Sequence, residues 1–264
     1  MSTPTTLHGA SPITRRAAVV DRRIPLARLV RVELRKMADT RSGMWLLIGL
    51  GVITLAIVAI YYVTGEASER TFTHFMAATL GPQGFLLPVL GILLVTSEWS
   101  QRTGLVSFTL VPLRGRVLAA KVVAGLLAGI AAIVLSVGLA ALATVVSGTP
   151  HGFADFGLAQ LGKFAILQLT GVLQGLAFGL LFLSSAPAIV SYFVFPTALN
   201  IVGSLWTPLG RIQPWIDLWA SQAPLFDVSD LSDQQWAQIG TSNLIWVALP
   251  FVLGLARVMR AEVK

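Results

Sequence analysis

Six long apolar stretches divide this chain, and they restrict its fold more than any other feature of the sequence. Each is long enough, or nearly so, to cross a hydrocarbon layer about 30 Å thick, which takes about 20 helical residues. Because a backbone inside a bilayer must satisfy its own hydrogen bonds, such stretches predict α-helices. They lie at about residues 44–63, 75–97, 118–146, 161–184, 187–208 and 242–258. The sequence therefore predicts an all-α integral membrane protein with six transmembrane helices.

The composition agrees with this class. Apolar residues make up 55% of the 264 residues, charged residues only 12%, and the mean hydropathy is +0.77, whereas a soluble domain is normally more polar. Basic residues outnumber acidic ones by 19 to 12. This excess does not indicate nucleic-acid binding, because the basic residues lie beside apolar stretches and not together on a soluble face. With no cysteine, the chain has neither a disulfide nor a thiolate metal site.

Lys and Arg are unevenly distributed between the two sides of this six-span layout. Sixteen of them lie before the first span, around the junction of the second and third spans, or near the C-terminus. Only Arg70, Lys163 and Arg211 fall on the other side. Because cytoplasmic segments of membrane proteins carry the excess of Lys and Arg, we expect both termini and the junction of spans two and three to be cytoplasmic.

The residues before the first span form two parts. Residues 1–23, rich in Thr, Ser, Pro and Arg, predict a disordered cytoplasmic tail. Residues 24–43 predict an amphipathic interfacial helix, since apolar positions from Leu26 to Ala38 recur at helical spacing and only Glu33 interrupts them. We expect its apolar stripe to lie in the acyl boundary and its arginines among the lipid headgroups. A solvated basic tail that only sets the topology is the alternative.

The six spans, with these boundaries, hold no ionisable residue deep inside them. Carriers driven by protons or ions need such groups at depth, at a cost of at least about 2.5–3.5 kcal/mol each. The chain has no H-E-x-x-H pair and its three histidines fall outside the spans, so neither intramembrane hydrolysis nor a metal site is expected. It also has no G-x-x-x-x-G-K-[ST] loop. We therefore expect that it is not an enzyme and does not bind ATP itself.

A charged segment, residues 98–120, separates the second span from the third. It is longer than a connector needs to be, and its first half is compatible with a helix that ends before Pro112. Such a segment suits a surface that docks a partner protein. A connector whose arginines reach lipid phosphates fits the same residues equally well.

Small and uncharged polar residues mark the third, fourth and fifth spans. Rows of glycine at every fourth position predict close helix packing, at Gly125, Gly129, Gly171, Gly175 and Gly179. Uncharged polar residues are candidates for a substrate pathway, with interhelical hydrogen bonding as the alternative: Gln168, Thr170, Gln174 and Asn200.

The segment 207–241 is the longest on the predicted external side. Its residues 215–219 are too apolar for a free loop and too few to span a membrane. We therefore expect short re-entrant or interfacial helices before the last span. Ser232 and Gln235 have the spacing of a capping box, which predicts a helix N-terminus there.

The charged segment resembles the cytoplasmic loop of the six-span permeases of ATP-binding cassette (ABC) exporters. The resemblance rests on the pattern E-x-x-x-R-T-G-x-x-x-x-T-L-x-P-x-R-x-R-V-x-x-A-K, which runs from Glu98 to Lys121. Residues 33–41 resemble that family's interfacial helix, and residues 246–260 resemble its last span with a basic exit. The order Thr103-Gly104 departs from the Gly-Thr order of many members.

This resemblance implies a permease subunit that depends on other chains. Two such chains, as a homodimer or a heterodimer in membrane lipid, would pair with two copies of a cytoplasmic ABC ATPase that binds ATP and Mg²⁺. In the coupling loop the residues implied to act on the ATPase are Glu98, Arg102, Thr103, Gly104, Thr109, Pro112, Arg114 and Lys121. In the interfacial helix they are Glu33, Arg35, Lys36 and Arg41.

The implied activity is export of a hydrophobic or amphipathic substrate, such as a drug, peptide, lipid or glycan, across a bacterial inner membrane. Arginine outnumbers lysine by 15 to 4, which is typical of a GC-rich bacterial genome. The alternative is a membrane scaffold or sensor subunit that recruits a cytoplasmic partner and transports nothing itself.

The predicted orientation can be tested by labelling, because the chain has no native cysteine. We expect a cysteine at Ser107 to react with a membrane-impermeant maleimide only in inverted vesicles. A cysteine at Ser229, in the predicted external segment, should react only in intact cells. Labelling of the Ser107→Cys variant in intact cells would show that the orientation is reversed.

Overall fold

The computed structural model describes residues 24–100 and 114–260, which are helical and contain no β-strand. Two short 3₁₀ turns, Ala67–Glu69 and Ala223–Phe226, and a π-helical segment, Leu244–Ala248, accompany the α-helices. Numbered through the described residues, the α-helices are α1 Leu26–Asp39, α2 Arg41–Thr64, α3 Phe72–Ser100, α4 Arg114–Ser147, α5 Leu158–Phe182, α6 Ser185–Leu205, α7 Thr207–Ile216, α8 Leu218–Gln222, α9 Asp233–Asn243 and α10 Leu249–Arg260.

Six helices are long and apolar enough to cross a membrane, which confirms the predicted all-helical chain with six candidate spans. Five of them are α2 to α6. The sixth runs for 28 residues from Asp233 to Arg260, through α9, the π segment and α10. The chain therefore alternates between two ends of the bundle. We call the end where α3 finishes and α4 begins the basic end, and the opposite one the hairpin end.

The last span is longer than its apolar stretch predicts. It begins at Asp233 instead of residue 242, because the capping box at Ser232 and Gln235 is present and starts the helix early. Ser232 Oγ accepts a hydrogen bond from the Gln235 amide, and Gln235 Oε1 accepts one from the Ser232 amide. Further along, the π segment ends two residues before Pro250, whose ring would clash with a regular α-helical turn before it.

The charged segment between spans two and three is shorter at both ends than predicted. Glu98 lies in α3, and α4 already begins at Arg114, because both helices continue past their apolar stretches. The residues between them lie outside the part of the chain that the structure describes. So do the predicted coupling residues Arg102, Thr103, Gly104, Thr109 and Pro112, and the predicted disordered tail at 1–23.

Helix α1 forms as its periodicity predicts, but the middle of its apolar stripe faces protein while Leu26 and Ala38 at its ends are exposed. Val30, Glu33 and Met37 are buried against the bundle, where Val30 and Met37 join the core formed by α2 to α5. The expectation that this stripe lies in the acyl boundary is therefore wrong for these residues. Only Thr40 separates α1 from α2, and its hydroxyl caps α2 by accepting a hydrogen bond from the Gly43 amide. A Cβ at Gly43 would lie 2.1 Å from the Met37 carbonyl oxygen, so this corner requires glycine.

Helices α3 and α5 are the central pair of the bundle. The most apolar windows of α3 and α5 are 56% and 61% buried, against 17–28% in the other four spans, whose outer faces are apolar and exposed. The two backbones touch where Gly175 meets Pro88, since a Cβ on Gly175 would lie 2.1 Å from the Pro88 carbonyl oxygen. The other glycines singled out in the sequence also face neighbouring helices within 3.0–3.4 Å of an added Cβ: Gly125, Gly129, Gly171 and Gly179.

Helices α7 and α8 form a hairpin, residues 207–226, that folds back into the bundle. Helix α7 packs on α6 so closely that a Cβ on Gly210 would lie 2.8 Å from the Gly203 carbonyl oxygen. The tip of the hairpin is held by Trp246, whose indole N–H donates to the Ile216 carbonyl. Trp246 lies roughly 20 Å along the last span from Asp233, at 1.5 Å per residue. Short helices before the last span are thus present as predicted, while their depth in a membrane stays a prediction.

The hairpin tip also buries an acid that the sequence places in an aqueous external segment. Asp217 is buried, and its carboxylate accepts hydrogen bonds from the Trp219 amide at 2.9 Å and from Gln213 Nε2 at 3.1 Å. The first of these bonds caps α8. The chain leaves the hairpin beside the start of α5, where Lys163 Nζ donates to the Asp227 and Ser229 carbonyls at 2.9 and 2.6 Å.

The contact of α3 with α5 predicts a steric effect at Gly175. We expect Gly175→Ala to lower the free energy of unfolding in detergent by about 1–3 kcal/mol, because the new methyl group must push the Pro88 backbone away. The matched control is Gly138→Ala, since an added Cβ there meets nothing within 4 Å. Denaturant unfolding followed by circular dichroism measures both variants. Equal stability of the two would contradict the close approach.

Candidate functional site

Four charged side chains form a cluster at the basic end of the bundle. Glu33 and Lys36 come from α1, Glu98 from the last turn of α3 and Lys121 from the second turn of α4. Lys121 Nζ lies 2.7 Å from Glu33 Oε2 and 3.2 Å from Glu98 Oε1. Lys36 Nζ lies 2.8 Å from Glu33 Oε1 and 2.7 Å from Glu98 Oε1. Acid and base therefore alternate around a ring, and we call these four residues the ion cluster.

The ion cluster is largely removed from solvent. Glu33, Glu98 and Lys121 are 4%, 5% and 2% exposed, while the Lys36 side chain is 39% exposed. Lys121 donates another hydrogen bond to the Leu94 carbonyl at 2.9 Å. Burying charges is costly, and a close arrangement of opposite charges with further hydrogen bonds is what offsets that cost. The cluster therefore specifies which face of α1 meets the bundle more than it adds net stability.

Lys36 keeps its charge at the rim of the cluster. Burial alone would lower the pKa of its ammonium group, but hydrogen bonds and Coulomb attraction from Glu33 and Glu98 outweigh burial and raise the pKa above its ordinary value. Helix α1 lies outside the candidate spans. The Lys36 ammonium group therefore completes the ring of charges from its more exposed side.

The predicted coupling residues that lie in the described part of the chain fall into three groups. Glu33, Lys36, Glu98 and Lys121 meet in the ion cluster, where Glu33, Glu98 and Lys121 are buried and Lys36 is partly exposed. Arg35 and Arg41 are exposed on the outside of the α1–α2 corner. Arg114 reaches across to α10, where its Nη1 donates to the Val258 carbonyl at 3.1 Å.

Three arginines of the basic end complete the hydrogen bonding of helix ends and of the chain before α1. Besides Arg114, Arg116 Nη2 donates to the Ile24 carbonyl at 2.6 Å, and Arg257 Nη1 donates to the Leu181 carbonyl in the last turn of α5. The last four carbonyls of an α-helix lack partners within the helix, so cations near that end satisfy them. Arginines that the sequence analysis counts as orientation signals, Arg114 also as a coupling residue, thus tie α1, α4, α5 and α10 together as well.

A partly enclosed cavity of about 290 Å³ lies between α3, α5, α6 and the hairpin. Much of its wall is aromatic, with Phe85 from α3, Tyr192 from α6, and Trp219 and Phe226 from the hairpin. Phe85 and Trp219 meet edge to face with ring centres 6.0 Å apart. The cavity therefore exists because the hairpin inserts beside α3 without filling the space in front of α5.

Tyr192 supports one wall of this cavity. Pro88 has no N–H, so the carbonyl of Gly84, four residues earlier, lacks its partner within α3. The Tyr192 hydroxyl donates to that carbonyl at 3.2 Å. A side chain of α6 thus replaces the backbone donor that α3 lacks and ties the two helices at the cavity.

Three glutamines on the cavity wall differ in whether their side-chain amides are hydrogen-bonded. Gln168 donates to the Gln83 side-chain oxygen, and Gln83 donates onward to Ser136 at 2.8 Å, so this chain of amides is bonded. Gln174 and Gln222 are 1% and 8% exposed, and neither Nε2 atom has a hydrogen-bond partner among the described residues. A buried amide donor without a partner costs about 1–3 kcal/mol.

The structure separates the four residues predicted for a substrate pathway. Gln168 and Gln174 line the cavity, whereas Thr170, though buried, is not part of its lining and Asn200 is exposed on α6. The sequence analysis missed Gln222, because it searched for pathway residues only within the spans, and Gln222 lies in the segment predicted to form short re-entrant or interfacial helices. Within residues 24–100 and 114–260, no group of three His, Asp or Glu side chains is placed to hold a metal ion.

Removing one member of the ion cluster should destabilise the fold. We expect Lys121→Met to lower the free energy of unfolding in detergent by about 3–5 kcal/mol, because it leaves two buried carboxylates facing Lys36 as the cluster's remaining ammonium group. The double variant with Glu33→Gln should recover part of the loss, since it removes one carboxylate charge. Denaturant unfolding followed by circular dichroism gives both values.

The control for this prediction is Arg28→Gln, because Arg28 is an exposed cation on the same helix α1. Its stability should stay within about 0.5 kcal/mol of the wild type. If Lys121→Met is as stable as this control, the ion cluster does not hold α1, α3 and α4 together.

The chain matches no known protein family and no curated protein. Its function is therefore inferred from the residues that the structure brings together. Two places qualify: the ion cluster at the basic end and the cavity beside the hairpin.

Proposed function

We propose that this chain is the permease subunit of an ABC exporter. It moves a hydrophobic or amphipathic molecule, such as a drug, peptide, lipid or glycan, across a bacterial inner membrane. Two permease chains, identical or similar, work with two copies of a separate cytoplasmic ATPase that binds ATP and Mg²⁺, and this chain holds no ATPase site of its own. The observation that carries the proposal is the ion cluster, which joins α1 to the helix ends on both sides of residues 101–113.

The ion cluster supports a mechanical role for those residues. Glu98 lies in the last turn of α3 and Lys121 near the start of α4, so a force on the intervening segment reaches both helices and, through Glu33, α1 as well. Three elements then move as one body. Mechanical coupling between two distant sites requires one body that has two discrete positions. Binding at each site must stabilise one of these positions more than the other.

Helix α3 connects the ion cluster to the cavity. Phe85 of the cavity wall and Glu98 of the cluster lie roughly 20 Å apart along this one helix, at 1.5 Å per residue. The backbone contact of Pro88 with Gly175 transfers displacement of α3 to α5, because there is no side chain between them to deform. Work done at the basic end by ATP binding and hydrolysis thus changes the space around the cavity.

Transport in vesicles tests this proposal. The chain and its cognate ATPase are reconstituted in liposomes, and accumulation of a fluorescent hydrophobic dye is followed with and without ATP and Mg²⁺. Replacing residues 103–109 by an alternating Gly-Ser sequence should reduce ATP-dependent accumulation roughly tenfold or more, since coupling of this kind is typically worth 5- to 150-fold. The six helices should still assemble, as circular dichroism would show.

Two controls accompany this experiment. An ATPase variant lacking the lysine of its phosphate-binding loop should abolish accumulation, which shows that ATP supplies the energy. Arg28→Gln, an exposed change on α1, should leave it unchanged. Undiminished ATP-dependent accumulation after the 103–109 replacement would refute the coupling role. An ATPase that binds the chain without any ATP-dependent transport would favour the scaffold or sensor alternative.

A further inference from the structure

Two glutamines whose amide nitrogens are unpartnered line the same cavity from different elements. Gln174 extends from the middle of α5, and Gln222 ends the second helix of the hairpin. Both are more than nine-tenths buried, yet the Nε2 atom of each lacks a hydrogen-bond partner in the described part of the chain. Buried polar groups in native proteins are nearly always hydrogen-bonded, so two orphaned donors around one cavity indicate a missing acceptor.

The same wall shows what a purely structural glutamine does here. Gln168 also lines the cavity, but its amide is bonded to Gln83 and through it to Ser136 across three helices. Gln174 lies less than two turns further along α5 and takes no part in such a chain. The difference favours a ligand-binding role for Gln174 and Gln222, since a glutamine amide offers two donors and one acceptor to whatever enters.

The remaining lining restricts the chemistry of that ligand. The described residues around the cavity include no Asp, Glu, Lys, Arg or His, and most of the wall is aliphatic or aromatic. A charged group inside it would lose its hydration without gaining an opposite charge. The ligand portion that enters is therefore uncharged, with acceptor oxygens for the amides and an apolar part for Phe85 and Trp219.

The volume restricts its size. About 290 Å³ is at the lower end of the 300–1,000 Å³ typical of small-molecule sites. That space accommodates one part of a larger amphipathic molecule rather than the whole of a two-chain lipid.

We propose that this cavity binds the uncharged, carbonyl-bearing part of an amphipathic ester or amide. The carbonyl oxygen accepts hydrogen bonds from the Gln174 and Gln222 amides, and the adjoining apolar chain lies against Phe85 and Trp219. Its identification as transported substrate rests on the proposed function, whereas binding itself does not. A ligand with this carbonyl group comes from one of two sources: it is a molecule exported by the protein, or it is the ester-linked lipid of the surrounding bilayer.

Quenching of Trp219 fluorescence tests the proposal on the full chain in nanodiscs of ether-linked phosphatidylcholine, which contains no ester. The probe is a monoacylglycerol that carries bromine at carbons 6 and 7 of its acyl chain. Its matched control is the glycerol ether with bromine at the same distance from the glycerol but no carbonyl. Each protein is compared with its own Trp219→Phe counterpart, so that only the part of the quenching due to Trp219 is counted.

We expect saturable Trp219 quenching by the ester, with a half-saturating concentration about tenfold lower than for the ether. Gln174→Met and Gln222→Met, which keep the side-chain length, should each raise the ester value about tenfold. Gln234→Met, at an exposed position of α9, is the matched control and should bind like the wild type. Equal binding of ester and ether, or unchanged binding by both cavity variants, would overturn the proposal.

A stability measurement separates a ligand site from a structural role. Without probe, Gln174→Met should unfold at the same temperature as the wild type or higher, because it removes an unsatisfied buried amide. Loss of probe binding together with a lower unfolding temperature in both glutamine variants would instead mark these residues as structural and overturn the proposal.

A second bilayer distinguishes the two sources. If ester-linked phosphatidylcholine raises the half-saturating concentration of the probe, the lipid competes for the cavity and membrane lipid is its occupant. If it does not, the occupant is a free amphipathic molecule. These binding measurements use neither ATPase nor ATP, so a negative transport experiment leaves them standing. Conversely, transport that persists without probe binding refutes the cavity proposal alone.

Discussion

The alternation of two acids and two bases where α1 meets the bundle is the constraint on which the basic end depends. Each carboxylate of the cluster lies between two ammonium groups, and three of the four side chains are almost fully buried. A shift of α1 by one residue would bring a charge against apolar side chains instead of its partner. The cluster therefore determines the register of α1 against α3 and α4, and with it the geometry on both sides of residues 101–113.

Close backbone contact plays the corresponding part in the centre of the bundle. Where Gly175 meets Pro88, helices α3 and α5 touch without an intervening side chain, so neither can be displaced alone. The surrounding helices bury much less of their surface and present apolar faces outward. A rigid pair inside more loosely packed helices suits a protein in which displacement at one end must reach the other, and the cavity lies along this pair.

Periodicity and apolar length predict α1, the six spans and the capping box at Ser232 because these depend on neighbours within the same stretch. The ion cluster depends on partners 62 and 88 residues apart, whereas the sequence pattern assigns Glu98 and Lys121 to a loop that acts on a partner protein. The start of the last span was misplaced because its first turns are polar. Gln174 is recognisable as a polar residue in a span, but its lack of a partner is a property of the assembled bundle.

The bond from Tyr192 to the Gly84 carbonyl also joins two of the helices that enclose the cavity. Separating α3 from α6 would break this bond and leave unpaired a carbonyl that Pro88 already deprives of its backbone partner. The hairpin has no comparable tie to α3 among the described residues, where ring contacts such as that of Trp219 with Phe85 join them. Two kinds of contact therefore close the cavity on the α3 side: a hydrogen bond between α3 and α6, and packed aromatic rings between α3 and the hairpin.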